Sequence, residues 1–385
     1  MGYWSQSYWG GAVAALGGAL VFGALPRIVR KPRIPLSLML GLGLAILANS
    51  RPFEGLVVCI ATAIALPCLM MRQQCIWRRE LVTQVLLPIS LVLVLTLAVM
   101  GWYNHRVTGN AFQFPYLLHS QTYMVAPFFF FQNQRPLGTY HHELIRDFHT
   151  GWELAPYMSH QTAWGLFQQT VHKLFTLWEF YIGPTLTIPF LVMIPFYWRN
   201  RRIRFALATC ALSLAVILAV NWIFPHHVAP LTALVSFLVL QSIRQMNLWT
   251  WRGDPIGRRL VYAVPVALTA SLVLFFCLRL RFTSEDLNEW RTQIIAQLNR
   301  QAGQHLVLVR YVRRDRDYLP SHFEWVYNEP DIDHAKIVWA REMDEIKDRE
   351  LLDYFSTRSA GLLIHEEKKS PVLVPYSRQQ SKQQH

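Results

Sequence analysis

Leu81-Val82-Thr83-Gln84-Val85-Leu86-Leu87-Pro88-Ile89-Ser90-Leu91-Val92-Leu93-Val94-Leu95-Thr96-Leu97-Ala98-Val99-Met100 is a run of twenty residues without one ionisable side chain. An α-helix needs about 20 mainly apolar residues to cross the hydrocarbon core of a bilayer, so this run predicts a spanning helix. Seven further stretches read the same way, near 8–25, 35–50, 55–71, 180–198, 204–223, 228–243 and 260–278. Eight spans are therefore expected. The second and third are only about 16 or 17 residues long, short enough to be tilted or partly re-entrant around Asn49-Ser50-Arg51-Pro52-Phe53-Glu54.

Composition agrees with that reading. Of 385 residues, 52% are hydrophobic and 16% charged, which excludes a water-soluble enzyme of ordinary make-up. The formal charge of +13 would suit a nucleic-acid binder if it lay on a polar surface. Residues 1–278 instead hold 20 Lys and Arg against 7 Asp and Glu, while 279–385 hold 17 of each. The whole excess lies in the apolar part, so it reads as membrane topology and nucleic acid is not expected as a partner. Cys59, Cys68, Cys75, Cys210 and Cys277 fall in or beside apolar runs with no CxxC spacing, so neither a disulfide framework nor a zinc site is indicated. The first 25 residues lack a basic leader and do not resemble a cleavable signal peptide.

Lys and Arg resist translocation, and here they cluster at alternate connections. Fifteen fall on one side: Arg27, Arg30, Lys31 and Arg33; Arg72, Arg78 and Arg79; Arg199, Arg201, Arg202 and Arg204; Arg244, Arg252, Arg258 and Arg259. The remaining connections carry only Arg51, Arg106, Arg135, Arg146 and Lys173. The N-terminus, the 101–175 loop, the 221–227 turn and the C-terminal tail are thereby placed outside the cytoplasm.

The expected architecture is an α-helical integral membrane bundle with a small extracytoplasmic α/β domain at its C-terminus. Residues 1–100 and 180–280 would each supply four spans, 101–179 an outer loop with interfacial amphipathic helices, 281–370 the α/β domain and 371–385 a disordered tail. In the tail domain Leu287, Trp290, Ile294 and Leu298 share one helical face, Ser284 can cap it, Glu285 and Asp286 suit its first turn, and Gly303 stops it. His305-Leu306-Val307-Leu308-Val309-Arg310-Tyr311 reads as a buried strand. Further strands are expected at Trp325-Val326-Tyr327, Lys336-Ile337-Val338-Trp339 and Leu362-Leu363-Ile364, with a helix at about 343–356. No repeat of fixed period links the two halves, which weighs against an inverted-repeat transporter.

Ionisable residues at membrane depth are costly, so Arg51 and Glu54 are candidates for a structural pair, for function, or for both. A planar guanidinium at Arg51 also suits a lipid-linked phosphate. His226 and His227 lie in Ile223-Phe224-Pro225-His226-His227-Val228-Ala229-Pro230, a turn stiffened by two prolines, where imidazoles can serve a phosphate or a proton, or simply anchor helix ends. In Thr139–Glu153, helical spacing would stack His142 near Arg146 and His149, and Glu143 near Asp147, with Leu144, Ile145, Phe148 and Trp152 on an apolar side. An amphipathic helix on the bilayer surface is the expectation there, and no metal-type spacing such as HExxH occurs. Phe128–Phe131, Trp164, Phe167, Trp178, Phe180 and Tyr181 can stack on sugar faces or populate a membrane interface.

Laid out in this way, the chain resembles a family of bacterial multi-pass proteins related to the GT-C glycosyltransferases, which include protein O-mannosyltransferases and lipid A aminoarabinose transferases. The resemblance rests on Ser7-Tyr8-Trp9-Gly10-Gly11, Gly23-Ala24-Leu25-Pro26-Arg27 and Ala48-Asn49-Ser50-Arg51-Pro52-Phe53-Glu54-Gly55. It continues through Arg146-Asp147-Phe148 with Trp152-Glu153, Leu177-Trp178 with Tyr181-Ile182-Gly183-Pro184, and His226-His227-Val228-Ala229-Pro230. Trp325-Val326-Tyr327-Asn328 and Val338-Trp339-Ala340-Arg341-Glu342 complete it. Such enzymes move a sugar from a polyprenyl-phosphate donor to an acceptor on the outer face, usually with a carboxylate base in the first outer loop. This chain is similar to the C-terminal two-thirds of the family and has no counterpart of that loop. Either the start is misassigned or the gene truncated, the favoured readings, or Glu54, Glu143, Asp147 or Glu153 substitutes as base. By resemblance Arg51, His226 and His227 would contact the donor phosphate, and a divalent cation remains an option, with no other cofactor implied.

The resemblance thus implies a glycosyltransferase-like protein of the bacterial plasma membrane, active or remnant, whose partners are a polyprenyl-phosphate-linked sugar and membrane lipid. Its acceptor is not implied. The alternatives are a carrier or flippase for a lipid-linked saccharide, which needs no base, and a non-catalytic membrane anchor for the C-terminal domain.

Overall fold

The computed structural model describes residues 10–71, 78–192, 201–281, 287–312, 324–366 and 369–376. The expected cap at Ser284, with Glu285 and Asp286, the family-like Ser7-Tyr8-Trp9 and the end of the tail from 377 lie outside the described residues. Helix dominates, with one small mixed sheet. The chain divides into two units, residues 1–138 with 154–273, and residues 139–153 with 274–385.

The first unit is helical. Its main helices are α1 (Gly11–Arg30), α2 (Ile34–Ser50), α3 (Pro52–Met71), α4 (Leu87–Thr108), α5 (Pro115–Tyr123), α6 (Leu154–His160), α7 (Ala163–Tyr181), α8 (Gly183–Val192), α9 (Arg201–Ala219), α10 (Thr232–Asn247) and α11 (Ile256–Arg281), the last of which passes into the second unit at residue 274. A π-helical turn, Leu81–Leu86, runs into α4. Three stretches are long and apolar enough to cross a membrane: Gly11–Arg30, Leu81–Thr108 and Ile256–Leu278. A fourth qualifies if α7 and α8, bent by 95°, are counted as one span; α2, α3 and α9 are shorter apolar helices. Among the described residues, helices stand at the expected positions, and three or four stretches meet the spanning length.

Two of the long helices carry their apolar side chains outward. Leu95, Leu97 and Val99 on α4 and Val266 on α11 are each more than half exposed. Water would not tolerate such continuous apolar surface, whereas lipid tails do. The core lies instead among α1, α2, α10 and the 229–231 turn, with Val21, Ala24, Ile28, Leu40, Leu47 and Ala229 inaccessible or nearly so. Close approach through small residues adds van der Waals packing between these helices. Gly18 shows how close: a Cβ there would lie 1.9 Å from the Pro230 carbonyl oxygen.

The second unit is an α/β fold. Its strands are β1 (His305–Val312), β2 (Ile337–Arg341), β3 (Ser359–Glu366) and β4 (Val372–Pro375), in the order β2-β1-β3-β4. β1 pairs in parallel with β2 and β3, and β4 runs antiparallel to β3. Helix α12 (Leu287–Arg300) buries Ile294 and Leu298 with Val307, Val309, Trp325, Trp339 and Leu363 in one cluster, and Gly303 follows it at φ +84°. Helix α13 (Glu345–Tyr354) connects β2 to β3, and the Asp344 side chain caps it by accepting from the Lys347 amide.

Two expectations are corrected here. Trp325-Val326-Tyr327 is not a strand: Trp325 is fully buried, and the Asn328 side chain takes the place of a strand neighbour. Its amide donates to the Trp339 carbonyl and accepts from the Trp339 amide, both at 2.8 Å, which closes the free edge of β2. Residues 371–376 are not disordered either, since Val372–Pro375 forms β4, an edge strand flanked by the prolines that such a position accommodates.

Candidate functional site

Arg51 ends α2 with extended φ and a backbone bond from its amide to Leu47, and Pro52 starts α3 without an amide to leave unpaired. The hairpin anticipated around Asn49–Glu54 is built in this way between α2 and α3, with Glu54 in the first turn of α3. On the other side, Pro225–His227 and Ala229–Leu231 form two short 3₁₀ turns ahead of α10. The Tyr181 hydroxyl donates to the Pro225 carbonyl at 2.7 Å and fixes the first of them. Phe224 stacks on His226 with ring centroids 5.5 Å apart and planes 5° from parallel, and His226 meets His227 edge-on at 4.6 Å.

The two segments converge. His227 Nδ1 lies 3.9 Å from Glu54 Oε1, and Arg51 acts electrostatically on Glu54, His226 and His227. Burial, then the Arg51 charge, push both imidazoles of the turn down to about 3, so they are neutral at physiological pH. A neutral imidazole can donate one N–H and accept at its other nitrogen. Phe53 extends the group into an aromatic wall, with its ring 6.2 Å from Phe128 and 5.4 Å from Phe129. A cavity of about 10 Å³ adjoins it, lined by Glu54, Val57, Ser213, Ile217, His227 and Pro230.

The aromatic wall is fixed by residues that inspection of the sequence did not single out. The Phe130 amide donates to the Ala219 carbonyl, the Asn221 amide to the Phe128 carbonyl, and the Asn221 side chain to the Pro127 carbonyl at 2.7 Å. Lys173, 1% exposed, donates to the carbonyls of Leu218 at 3.1 Å and Val220 at 2.6 Å and to His160 Nε2 at 3.0 Å. His160 Nδ1 in turn bonds the Pro156 carbonyl, which leaves Nε2 as the acceptor, and its ring stacks on Phe130 at 5.7 Å. The ammonium thus sits at the negative end of α9. One signal was legible: a lone lysine among Phe167, Val171, Leu174 and Leu177 in an apolar helix.

The other proposed carboxylates belong to the second unit. Glu143–Asp147 is a short helix followed by the π-helical turn Phe148–Trp152, so the even amphipathic spacing expected over 139–153 is interrupted. Glu143 and Asp147 pair with Arg146 at 3.9 and 3.1 Å on the surface. Glu153 and His149 are buried and bonded at 2.6 Å, a structural role. His142 accepts from the Leu144 amide at Nδ1 and donates from Nε2 to the Glu342 carbonyl at 3.3 Å, joining this segment to the end of β2. Burial and then the Arg341 charge hold His142 below its ordinary range, in agreement with this neutral tautomer. An adjoining cleft of about 610 Å³ is lined by His142, Ile145, Arg341, Lys347, Leu351 and Tyr354. Among the described residues, no group of three or more His, Cys, Asp or Glu is placed to hold a metal ion.

Compared with protein-family models, with curated proteins and with solved structures, the chain matches none.

Proposed function

We propose that this is a membrane glycosyltransferase-like protein that takes a polyprenyl-phosphate-linked sugar at Arg51, His226 and His227, with Glu54 as the base toward the acceptor. One observation carries the reading: Arg51 and Glu54 from the α2–α3 hairpin and the two histidines of a distant turn meet in one partly buried group beside the Phe53, Phe128 and Phe129 rings. A guanidinium and neutral N–H donors suit a leaving phosphate, and an aromatic wall suits a sugar face. In the reaction, the acceptor oxygen bonds the anomeric carbon, the bond from that carbon to the phosphate oxygen breaks with its electron pair, and the acceptor proton passes to Glu54. Of the four carboxylates considered, Glu54 alone accompanies Arg51 in the same unit.

The proposal includes the eight-span topology in a bacterial plasma membrane, with both termini outside, as the alternation of arginine-rich connections supports. Within it, α7 is an interfacial helix. Trp164, Phe167, Val171 and Leu174 form an exposed apolar stripe, Gly165, Lys173 and Leu177 are buried on the opposite face, and the 95° bend sets α7 across α8.

The test is sugar transfer by the purified chain reconstituted in vesicles with polyprenyl-phosphate-linked donors. Transfer lost in Arg51→Ala and kept in Ile346→Ala, which alters an exposed residue of α13, supports the reading. Movement of the lipid-linked saccharide across the bilayer without transfer from any donor refutes it in favour of a carrier.

A further inference from the structure

Serine and threonine hydroxyls inside apolar helices have one local acceptor available, the carbonyl four residues earlier. Several of those in the first unit use it: Ser37 to Arg33, Ser50 to Ile46, Thr96 to Val92, Thr108 to Asn104 and Ser242 to Leu238. Ser213 on α9, like Thr62 on α3, does not. Its Oγ is buried without a hydrogen-bond partner although the residue is only 3% exposed. A buried hydroxyl left unpaired is costly, and helix geometry offers Ser213 a remedy that it does not take. What it faces is the cavity of about 10 Å³ whose other polar lining comes from Glu54 and His227. One water needs roughly 10–15 Å³ of such space and two or more polar partners. Val57, Ile217 and Leu231 supply the rest of the wall and exclude anything larger or charged.

We propose that this cavity is a binding site for a single water molecule, held by the Ser213 hydroxyl, the Glu54 carboxylate and His227. The water is enclosed by α3, α9 and the turns that carry His227 and Pro230. It gives that pair an internal hydrogen-bonding partner independent of any ligand at Arg51. The inference rests on the hydroxyl and the cavity, and stands or falls separately from the transferase reading.

Two measurements on the full chain in lipid nanodiscs test it. A high-resolution structure is expected to show density within hydrogen-bonding distance of both Ser213 Oγ and a Glu54 oxygen; a dry cavity overturns the proposal. Thermal unfolding is expected to fall by several degrees in Ser213→Ala, because the water loses an anchor, and to change little in Ser242→Ala. If the hydroxyl is simply unpaired, removing it relieves a penalty, so an unchanged or raised melting temperature in Ser213→Ala also overturns the proposal. Should Ser213→Ala not fold, the density decides, with Ser213→Thr, which keeps the hydroxyl, as the second variant.

Discussion

Replacing Lys173 by methionine isolates the contribution of the buried ammonium. The wild-type side chain satisfies three acceptors, His160 Nε2 at 3.0 Å, the Leu218 carbonyl at 3.1 Å and the Val220 carbonyl at 2.6 Å. Hydrogen bonds to charged groups contribute about 1.5–3 kcal/mol each, so the three together hold roughly 4–9 kcal/mol of favourable interaction. Against this stands the effective cost of burying the ion, several kcal/mol, which methionine avoids. Two of the acceptors are backbone carbonyls at the end of α9, however, and no side-chain substitution removes them. Each unsatisfied buried group costs about 1–3 kcal/mol. The expected net loss is about 3 kcal/mol, which for a chain of 385 residues corresponds to a melting temperature lower by roughly 4 °C. Tryptophan fluorescence during heating of the purified variant measures it, and Lys173→Gln, which keeps two donors, is expected to lie between. A Lys173→Met protein as stable as wild type would refute the reasoning, because the carbonyls would then have to find other partners at no cost.

A side chain at Gly18 tests the closest approach in the bundle: Gly18→Ala places Cβ 1.9 Å from the Pro230 carbonyl and must displace either α1 or the histidine turn. A loss above about 3 kcal/mol is expected, read as a collapsed monodisperse peak in size-exclusion chromatography. Gly23→Ala, whose Cβ meets only the flexible Arg27 guanidinium at 3.3 Å, serves as control, and equal behaviour of the two variants would count against the packing described. The turn histidines predict a pH dependence. Their folded-state values, near 3, lie below the ordinary 6.5, so the unfolded chain binds more protons between those limits. Stability is then complete above pH 6.5 and is lost as pH falls, with a slope approaching about 1.4 kcal/mol per pH unit for each histidine. The charged groups facing them are Arg51 and Glu54. Melting temperatures measured from pH 7 to 5 check this, and a slope equal in wild type and in the His226→Asn, His227→Asn double variant would exclude these residues as its source.

Much of the second unit was readable because its elements are local. The β1 run alternates with nothing and is buried on both faces, Ile294 and Leu298 repeat at helical spacing, and Gly303 supplies a left-handed stop. The strand assigned to Trp325-Val326-Tyr327 failed because a buried tryptophan and β-branched valine carry strand propensity wherever they stand, and only the Asn328–Trp339 pairing shows that the neighbour is a side chain. In the candidate site, Arg51, Glu54 and the two histidines stood out as polar residues beside apolar spans. Asn221 and Ser213 did not, and the apolar setting of Lys173 hints at burial without naming the distant helix end that it caps.

The amino-acid sequence by itself determined that the chain is largely helical, that some of its helices are apolar enough to cross a membrane, and that a small α/β fold follows. Those properties depend on composition and periodicity, which are summed along the chain. Tertiary structure alone decided that Glu54 meets His227 from more than 170 positions away, that Lys173 closes the end of α9, and that residues 139–153 join the α/β unit. Each of these rests on contacts between segments far apart in the chain. Such a pairing depends on where two segments come together in space, and no window of sequence contains both partners.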